Sequence, residues 1–407
     1  MRLNPFRAVR PDPALAARVA SVPYDVVNRD EAAALALGNP LSFLHVGRSD
    51  IDLPDDVDPH DPRVYAQARR ALDRFLADGT LQRDEEPSIY VYRQVMNART
   101  QTGIVGCVHI DDYEHDVIRK HEKTRPDKED DRTTHVLTLM ANAEPVFLAY
   151  REVPEVHRLV QPILQTPPLY DFVAPDGVRH TVWKAPDPGA VVAAFGEVPY
   201  AYVADGHHRS ASAWRAGKEL RARLPGGQGD GEHDWFLAVL FPAEQLRILP
   251  YNRVVRDLNG LGAAQTLGRI SRVGKVTVTE DSIPWRAGEF CFFLAGRWYR
   301  LELDEATIDR SDPIGSLDVS LLQDRVLGPI LGIGDPRTDP RIDFVGGIRG
   351  TEELELRVAS GEMAIAFSLY PTTMEQLMAV SDAGMVMPPK STWFEPKLRS
   401  GLFVHEL

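Results

Sequence analysis

The chain has 407 residues, 43% of them apolar, and a formal net charge of −13 at pH 7. That length predicts about two to three domains or one elaborated α/β body with a sizeable core. The negative charge argues against non-specific nucleic-acid binding. The longest apolar run, residues 235–241, is far too short to span a bilayer, and the N-terminus lacks a signal-like apolar region. A cytoplasmic protein with no nucleic-acid or membrane partner is therefore expected. Its two cysteines, Cys107 and Cys291, each sit in an apolar, strand-like run, which predicts reduced core residues rather than a disulfide framework.

Residues 1–85 are expected to contain little sheet. Residues 23–27 read as extended, and Asn28 can cap a helix carrying residues 31–36. A second extended piece is expected over 39–46, and an acidic, proline-bearing loop over 50–62. Apolar residues at helical spacing over 64–78 end at Gly79. Asp25 and His45 stand out as polar groups in these compact pieces. Residues 88–94 and 102–110 then form a pair of strands around an Asn-Ala-Arg-Thr turn.

Residues 119–132 carry mixed charge, and a solvated helix is one reading of them. The other reading concerns Glu122, which follows a core strand and is surrounded by cations that would hold it ionised. Beside His121, it can act as a general base toward a substrate hydroxyl. Further along, a strand is expected over 144–151, a hairpin about a Pro-Asp-Gly turn over 169–184, and a helix over 190–195.

Residues 198–204 are apolar and aromatic after Pro199 and read as a buried strand. Gly206 breaks that strand, helix-favouring residues follow, and Gly217 is placed where a C-terminal cap is expected. A strand feeding a helix through glycine leaves the first helical amides unpaired and aimed at one spot, which suits a phosphate. His207, His208 and Arg209 add donors or cations, while Asp205 is placed to orient a histidine or to hold Mg²⁺. The same pentapeptide also fits a capped turn with solvated histidines. Zinc is disfavoured because cysteine partners at ligand spacing are missing.

Beyond this element, residues 224–234 form a glycine-rich loop and 235–241 a buried strand. A hairpin is expected over 289–303, an amphipathic helix over 316–331, a helix over 351–358, a strand over 364–369 and a helix over 372–379. Near the C-terminus, residues 387–401 form a proline-fixed loop in which Lys390, Ser391 and Thr392 place a cation and two hydroxyls together. Phosphate contacts use that combination, although composition alone also fits a Pro-rich tail.

Taken together, these stretches resemble the family called domain of unknown function 1015. The residues that carry the resemblance are Pro23-Tyr24-Asp25-Val26, His121-Glu122, Asp205-Gly206-His207-His208-Arg209, Leu249-Pro250 with Arg253, and Pro389-Lys390-Ser391-Thr392 with Trp393-Phe394. The chain is also similar to the free-serine kinases of the ParB/sulfiredoxin superfamily. Those kinases carry a His-Glu pair with a catalytic glutamate, an Asp-Gly-His-His-Arg turn, a Gly-Glu strand (here Gly361-Glu362), a Pro-Thr step (Pro371-Thr372) and a final Pro-Lys-Ser/Thr-Thr loop. This chain is longer than they are, mostly before Glu122 and over 258–361. An aromatic residue they use near the substrate is replaced around Ile248-Leu249, with Tyr251 close by. His207 stands where sulfiredoxins need a cysteine, so reductase chemistry is not implied.

The resemblance implies a mixed α/β (α+β) fold, with a ParB/sulfiredoxin-like core and mixed sheet elaborated by N- and C-terminal α/β additions. The expected divisions are an N-terminal segment over 1–85, a catalytic core over 86–256, and a C-terminal α/β domain over 257–407 whose last loop, 387–401, returns to the site. It also implies phosphoryl transfer from ATP or ADP, with Mg²⁺, to a small-molecule hydroxyl such as that of free L-serine. Glu122, with His121, would serve as base and Asp205 as a catalytic or metal-holding carboxylate. Gly206, His207, His208, Arg209, Lys390, Ser391 and Thr392 would bind phosphate, and Tyr251 and Arg253 the substrate. A nucleotide-binding switch without turnover and a nucleotide hydrolase are the alternatives.

Overall fold

The structure is a computed structural model and describes residues 1–224 and 231–407. It is mixed α/β, and the chain divides into two compact units, residues 1–246 with 396–407, and residues 247–395.

A nine-stranded mixed sheet forms the heart of the first unit. Its strands in chain order are β1 (Leu3–Asn4), β2 (Tyr90–Met96), β3 (Arg99–His109), β4 (Ile118–Arg119), β5 (Val146–Tyr150), β6 (Tyr170–Val173), β7 (Arg179–Lys184), β8 (Ala201–Asp205) and β9 (Trp235–Pro242). Their spatial order is β4-β8-β5-β9-β3-β2-β7-β6, with β1 paired to β3. The β4–β8 and β5–β9 pairs are parallel and the remaining neighbours antiparallel. The β2–β3 hairpin turns through Asn97 and Ala98, both at positive φ, as a tight two-residue hairpin turn requires. The β6–β7 hairpin forms about the Pro-Asp-Gly turn, with Gly177 at φ +81°.

Central strands with apolar residues on both faces need cover on both sides. Ile104, Leu148, Val203 and Leu240 pack with Val160, Phe195 and Ala213 of the helices in one core. A second core joins Val9, Phe43, Leu72, Phe75, Leu139 and Val404, so the last residues of the chain close the N-terminal segment. Asn28 caps the Arg29–Ala36 helix through a full capping box with Glu31.

Several local expectations are corrected. Residues 24–26 form a 3₁₀ turn rather than a strand, because the Tyr24 amide is drawn to Glu144 Oε1 (3.3 Å). Within 39–46 the chain turns at Asn39, whose carbonyl accepts from the Ser42 amide (3.0 Å), and enters the short Leu44–Gly47 helix. Residues 119–132 split into a loop and the Pro126–Leu139 helix, so His121 and Glu122 are loop residues. Gly217 does not end its helix, which runs His207–Arg223; a Cβ there would meet the His233 carbonyl oxygen at 2.3 Å, so this glycine serves close packing. The expected loop over 224–234 falls partly on residues 225–230, outside the described residues, and Glu232–Asp234 form a 3₁₀ turn.

The second unit holds a six-stranded antiparallel sheet of β10 (Tyr251–Val255), β11 (Lys275–Val278), β12 (Glu289–Leu294), β13 (Arg297–Glu302), β14 (Ile342–Gly346) and β15 (Ile365–Leu369). Its order is β11-β13-β12-β15-β10-β14. The single helix expected over 316–331 is broken: α-helix Asp318–Leu322 passes into a π turn at Gln323–Leu327, where the Gly328 amide bonds the Gln323 carbonyl (2.8 Å). Gly361-Glu362 is a turn leading into β15 rather than a strand; Gly361 takes φ +80° and Glu362 pairs with Arg357.

Candidate functional site

β8 ends at Asp205, Gly206 takes a left-handed conformation (φ +93°, ψ +37°), and the His207–Arg223 helix starts at once. Glycine suits this turn, because any side chain is strained at that φ and a Cβ would press on the Arg209 guanidinium at 3.0 Å. It also brings no capping side chain to the first helical amides. A register shift between Val203 and Asp205 in the β5 pairing re-aims the strand end just before the turn.

The partner segment arrives through sheet topology. β4 runs parallel to β8, pairing Ile118 with Ala201 and Arg119 with Tyr202. Both strands therefore finish at the same edge, and the residues after them meet there, as in other sheets where chemistry gathers beyond the carboxyl ends of parallel strands. The Glu122 carboxylate, 44% exposed, lies 4.0 Å from His207 Nδ1. The His121 and His207 rings contact edge to face, with centroids 4.4 Å apart. His121, Glu122 and His207 place their ligand-type atoms within 4.8 Å of one another, close enough for one divalent ion.

These histidines are neutral at pH 7. Burial pushes His121 down to about 4, against the opposing pull of Asp205 and a hydrogen bond to the Val203 backbone. Burial, reinforced by His121, pushes His207 well below the ordinary histidine range. His208 is also lowered, chiefly by burial, and its Nε2 accepts from the Arg125 amide (3.1 Å). Neither His207 nor His208 brings a standing positive charge to the turn; each contributes a neutral imidazole.

Arg209 points inward. Its Nη1 donates to the Pro145 carbonyl (2.6 Å), and its Nη2 lies 3.5 Å from Asp205 Oδ2 and 3.7 Å from Asp25 Oδ2. Burial opposes its charge, but Asp25, Asp205 and Glu144 more than restore it. Asp205 also receives Lys397 Nζ at 3.2 Å. Burial alone would raise the Asp205 carboxyl; Lys397 and Arg209 instead hold it well below the usual carboxylate range. With two cations this close, Asp205 does not fit an Mg²⁺ ligand: the ion would have to displace them.

Behind this cluster, Glu144 accepts from Ser400 Oγ (3.0 Å) and is pushed up by burial, with Arg209 and Arg132 opposing. Arg132 lies over the Tyr24 ring, its Cζ 4.2 Å from the centroid. Glu144, Arg132, Ser400 and Lys397 are the members of the cluster that sequence reasoning did not single out. A buried acid at a strand entry and a lysine two residues before Arg399 carry no local signal of their own.

Lys390, Ser391, Thr392, Tyr251 and Arg253 belong to the second unit. Lys390 adopts positive φ and its Nζ lies over the Tyr251 ring at 5.4 Å. The Ser391 hydroxyl is turned back onto the Pro388 carbonyl (2.6 Å), and Arg253 is buried.

Among solved structures, the chain is similar to free serine kinase in complex with AMP, at 14% identity over 74% of this chain and 91% of that one, with a TM-score of 0.35. It is also similar to SbnI with C-terminal truncation from Staphylococcus aureus, at 11% identity over 74% and 86%, TM-score 0.39. A conserved hypothetical protein from Pyrococcus furiosus is similar at 14% identity over 74% and 94%, TM-score 0.35. No curated protein matches the sequence. No helix among the described residues is long and apolar enough to cross a membrane. A family model described as "Protein of unknown function (DUF1015)" matches residues 3–320, well over half of the chain, and the protein belongs to that family.

Proposed function

We propose that the first unit is a small-molecule kinase, moving a phosphoryl group from ATP or ADP to a hydroxyl. Free L-serine is the acceptor favoured by the resemblance of residues 205–209 to the turn of free-serine kinases. One observation carries the reading: an exposed glutamate, Glu122, stands 4.0 Å from the first residue of a glycine-capped helix. A base and an anion-receiving helix start are the two parts such a transfer needs side by side.

In this reading the acceptor oxygen bonds to phosphorus as the bond from phosphorus to the nucleotide's leaving oxygen breaks, and Glu122 takes the hydroxyl proton. The first helical amides and the neutral imidazoles of His207 and His208 receive phosphate oxygens. Arg209 works from behind, holding Asp25 and Asp205 in place. Little covalent work falls to the protein; positioning does most of it. Mg²⁺ would enter with the nucleotide's own phosphates, and no step passes through Asp205 as its ligand.

A second reading rests on the spacing of His121, Glu122 and His207, which also suits a divalent ion. The two readings separate by experiment. Phosphoserine formation from serine with ATP or ADP is measured for the wild type and for Glu122→Gln, alongside metal content. The kinase reading expects turnover to fall about a hundredfold or more with nucleotide binding retained. Equal turnover in both proteins removes Glu122 from the chemistry. Stoichiometric metal lost on Glu122→Gln, with no phosphoserine from either protein, favours the ion. Release of inorganic phosphate alone makes the protein a hydrolase.

A further inference from the structure

The large sheet of the first unit carries a cavity of about 260 Å³ under the Pro154–Ile163 helix. Sites for drug-sized ligands usually hold about 300–1,000 Å³, so this volume suits a smaller molecule. Its floor follows from strand register. Arg93 of β2 pairs with Thr102 of β3, Ile104 of β3 with Leu240 of β9, and Pro242 of β9 with Tyr150 of β5. Paired residues, and residues two apart on one strand, share a face of a sheet. Arg93, Thr102, Ile104, Pro242 and Tyr150 therefore all line the cavity from one face, in a band across four strands. Neighbouring strands lie about 4.8 Å apart, which separates the Arg93 and Tyr150 backbones by roughly 14 Å. Tyr150 also pairs with Ala201, at the start of β8, whereas Asp205 and the glycine turn lie at its other end.

Arg93 makes one end of the cavity cationic. It is half-buried, its Nε donates to Thr102 Oγ1 (3.3 Å), and its guanidinium carbon lies 5.4 Å from the centroid of the Trp183 ring. The hydroxyl and the ring hold the guanidinium in place. Its Nη1 and Nη2 have no partner among the described residues, and neither is sealed from solvent. Burial lowers its pKa with no carboxylate to offset it. An arginine stays charged all the same, so a fork of N–H groups is open to an anion. The Tyr150 end has the opposite character: Glu152 and Glu244 add to burial in pushing the Tyr150 hydroxyl up. His157 brings no second free cation there, because its Nδ1 is held by Glu152 Oε1 at 3.0 Å. Between the two ends the wall is apolar, formed by Ile104, Val156, Val160 and Leu164.

We propose that this cavity binds a monocarboxylate with an apolar body, a short-chain fatty acid or an aryl acid, its carboxylate on the Arg93 Nη groups and its body along Val160 and Leu164. One cation favours one negative charge, and the acids beside Tyr150 turn away a second at the far end. Residues 205–209 and Glu122 take no part in the site. The inference therefore stands or falls independently of phosphoryl transfer.

The test is calorimetry on the full chain with hexanoate, phenylacetate, hexanamide, acetate and adipate. Binding is expected for hexanoate or phenylacetate, and the tighter of the two tells chain from ring. Hexanamide should bind at least tenfold more weakly, since the charge-assisted contact is lost. Acetate, with almost no apolar body, should also bind at least tenfold more weakly. Adipate, which carries a second carboxylate toward Tyr150, should bind several-fold more weakly than hexanoate. Arg93→Gln should weaken binding of the tighter acid about tenfold or more, and Arg93→Lys less, because the charge remains without the fork. Leu164→Glu, on a half-buried residue at the end of the helix, should fold and weaken binding several-fold, which locates the site even if Arg93→Gln does not fold. The proposal is overturned if neither acid binds at about 10 mM, if hexanamide, acetate or adipate matches the tighter acid, or if folded Arg93→Gln or Leu164→Glu leaves its binding unchanged.

Discussion

Lys397 Nζ lies 3.2 Å from Asp205 Oδ2, two residues that are 192 positions apart in sequence. The contact ties the last stretch of the chain to the turn that opens the His207–Arg223 helix, and Arg209 Nη2 joins the same carboxylate at 3.5 Å. Asp205 is thus the point at which a distant segment and the local turn share one charge.

Lys397→Met should cost about 1–3 kcal/mol of stability at pH 7, the range for removing one partner of a half-buried charged contact. A carboxylate with a depressed folded pKa contributes stability above its unfolded value, 3.8, and loses it as pH falls through the folded value. The gap between variant and wild type should therefore persist at pH 4 and close only as pH falls toward that folded value. A double-mutant cycle with Asp205→Asn in urea unfolding at pH 7 checks the pairing; additive losses would make Lys397 a packing residue rather than a charge partner.

Three buried histidines predict a second pH effect. Burial lowers His121 to about 4 and both His135 and His180 to about 3, from an ordinary value of 6.5. His180 also receives the Arg399 Nε donor at 3.2 Å, which requires an unprotonated ring nitrogen. The unfolded chain binds protons first as pH drops, so stability falls between pH 7 and pH 5, by about 1–2 kcal/mol for each histidine. His180→Gln should flatten that slope. A denaturation midpoint that does not move between pH 7 and 5 contradicts the neutral assignment.

Asp318 should behave with the opposite sign. Burial raises it to about 7, against a hydrogen bond from the Gly288 amide (2.9 Å) to Oδ1, and its Oδ2 has no partner. An acid whose folded pKa lies above its unfolded 3.8 contributes stability at low pH and loses it as pH rises toward 7. Asp318→Asn, which stays neutral, should be more stable than wild type at pH 8 by about 1–4 kcal/mol, with the advantage gone near pH 4. Thermal unfolding across that range would show it, and a variant no more stable at pH 8 than at pH 4, relative to wild type, rules it out.

Gly217→Ala separates helix propensity from packing. In an exposed helix the change would stabilise by about 1 kcal/mol. Here the added methyl meets the His233 carbonyl oxygen at 2.3 Å and Ile110 Cδ1 at 3.0 Å. A net loss of about 1–3 kcal/mol in denaturant unfolding is expected. A gain in stability would mean that the turn at 232–234 yields easily.

Local chemistry was enough to foresee much of this molecule. Gly206 between an apolar run and a helix-forming run produced a strand, a left-handed turn and a helix start, because only the neighbouring residues decide such a turn. Asn28 with Glu31, and the hairpins at Asn97-Ala98 and Gly177, were legible for the same reason. Other features depend on partners remote in sequence and could only be settled by the folded chain. Residues 24–26 coil because Glu144 attracts an amide, Gly217 stays inside its helix because a carbonyl presses on it, and Arg209 turns inward toward Asp25 and the Pro145 carbonyl. Even the approach of Glu122 to His207 comes from two parallel strands ending at one sheet edge, a pairing that hydrogen bonds between distant segments impose and that no residue pattern within either segment encodes.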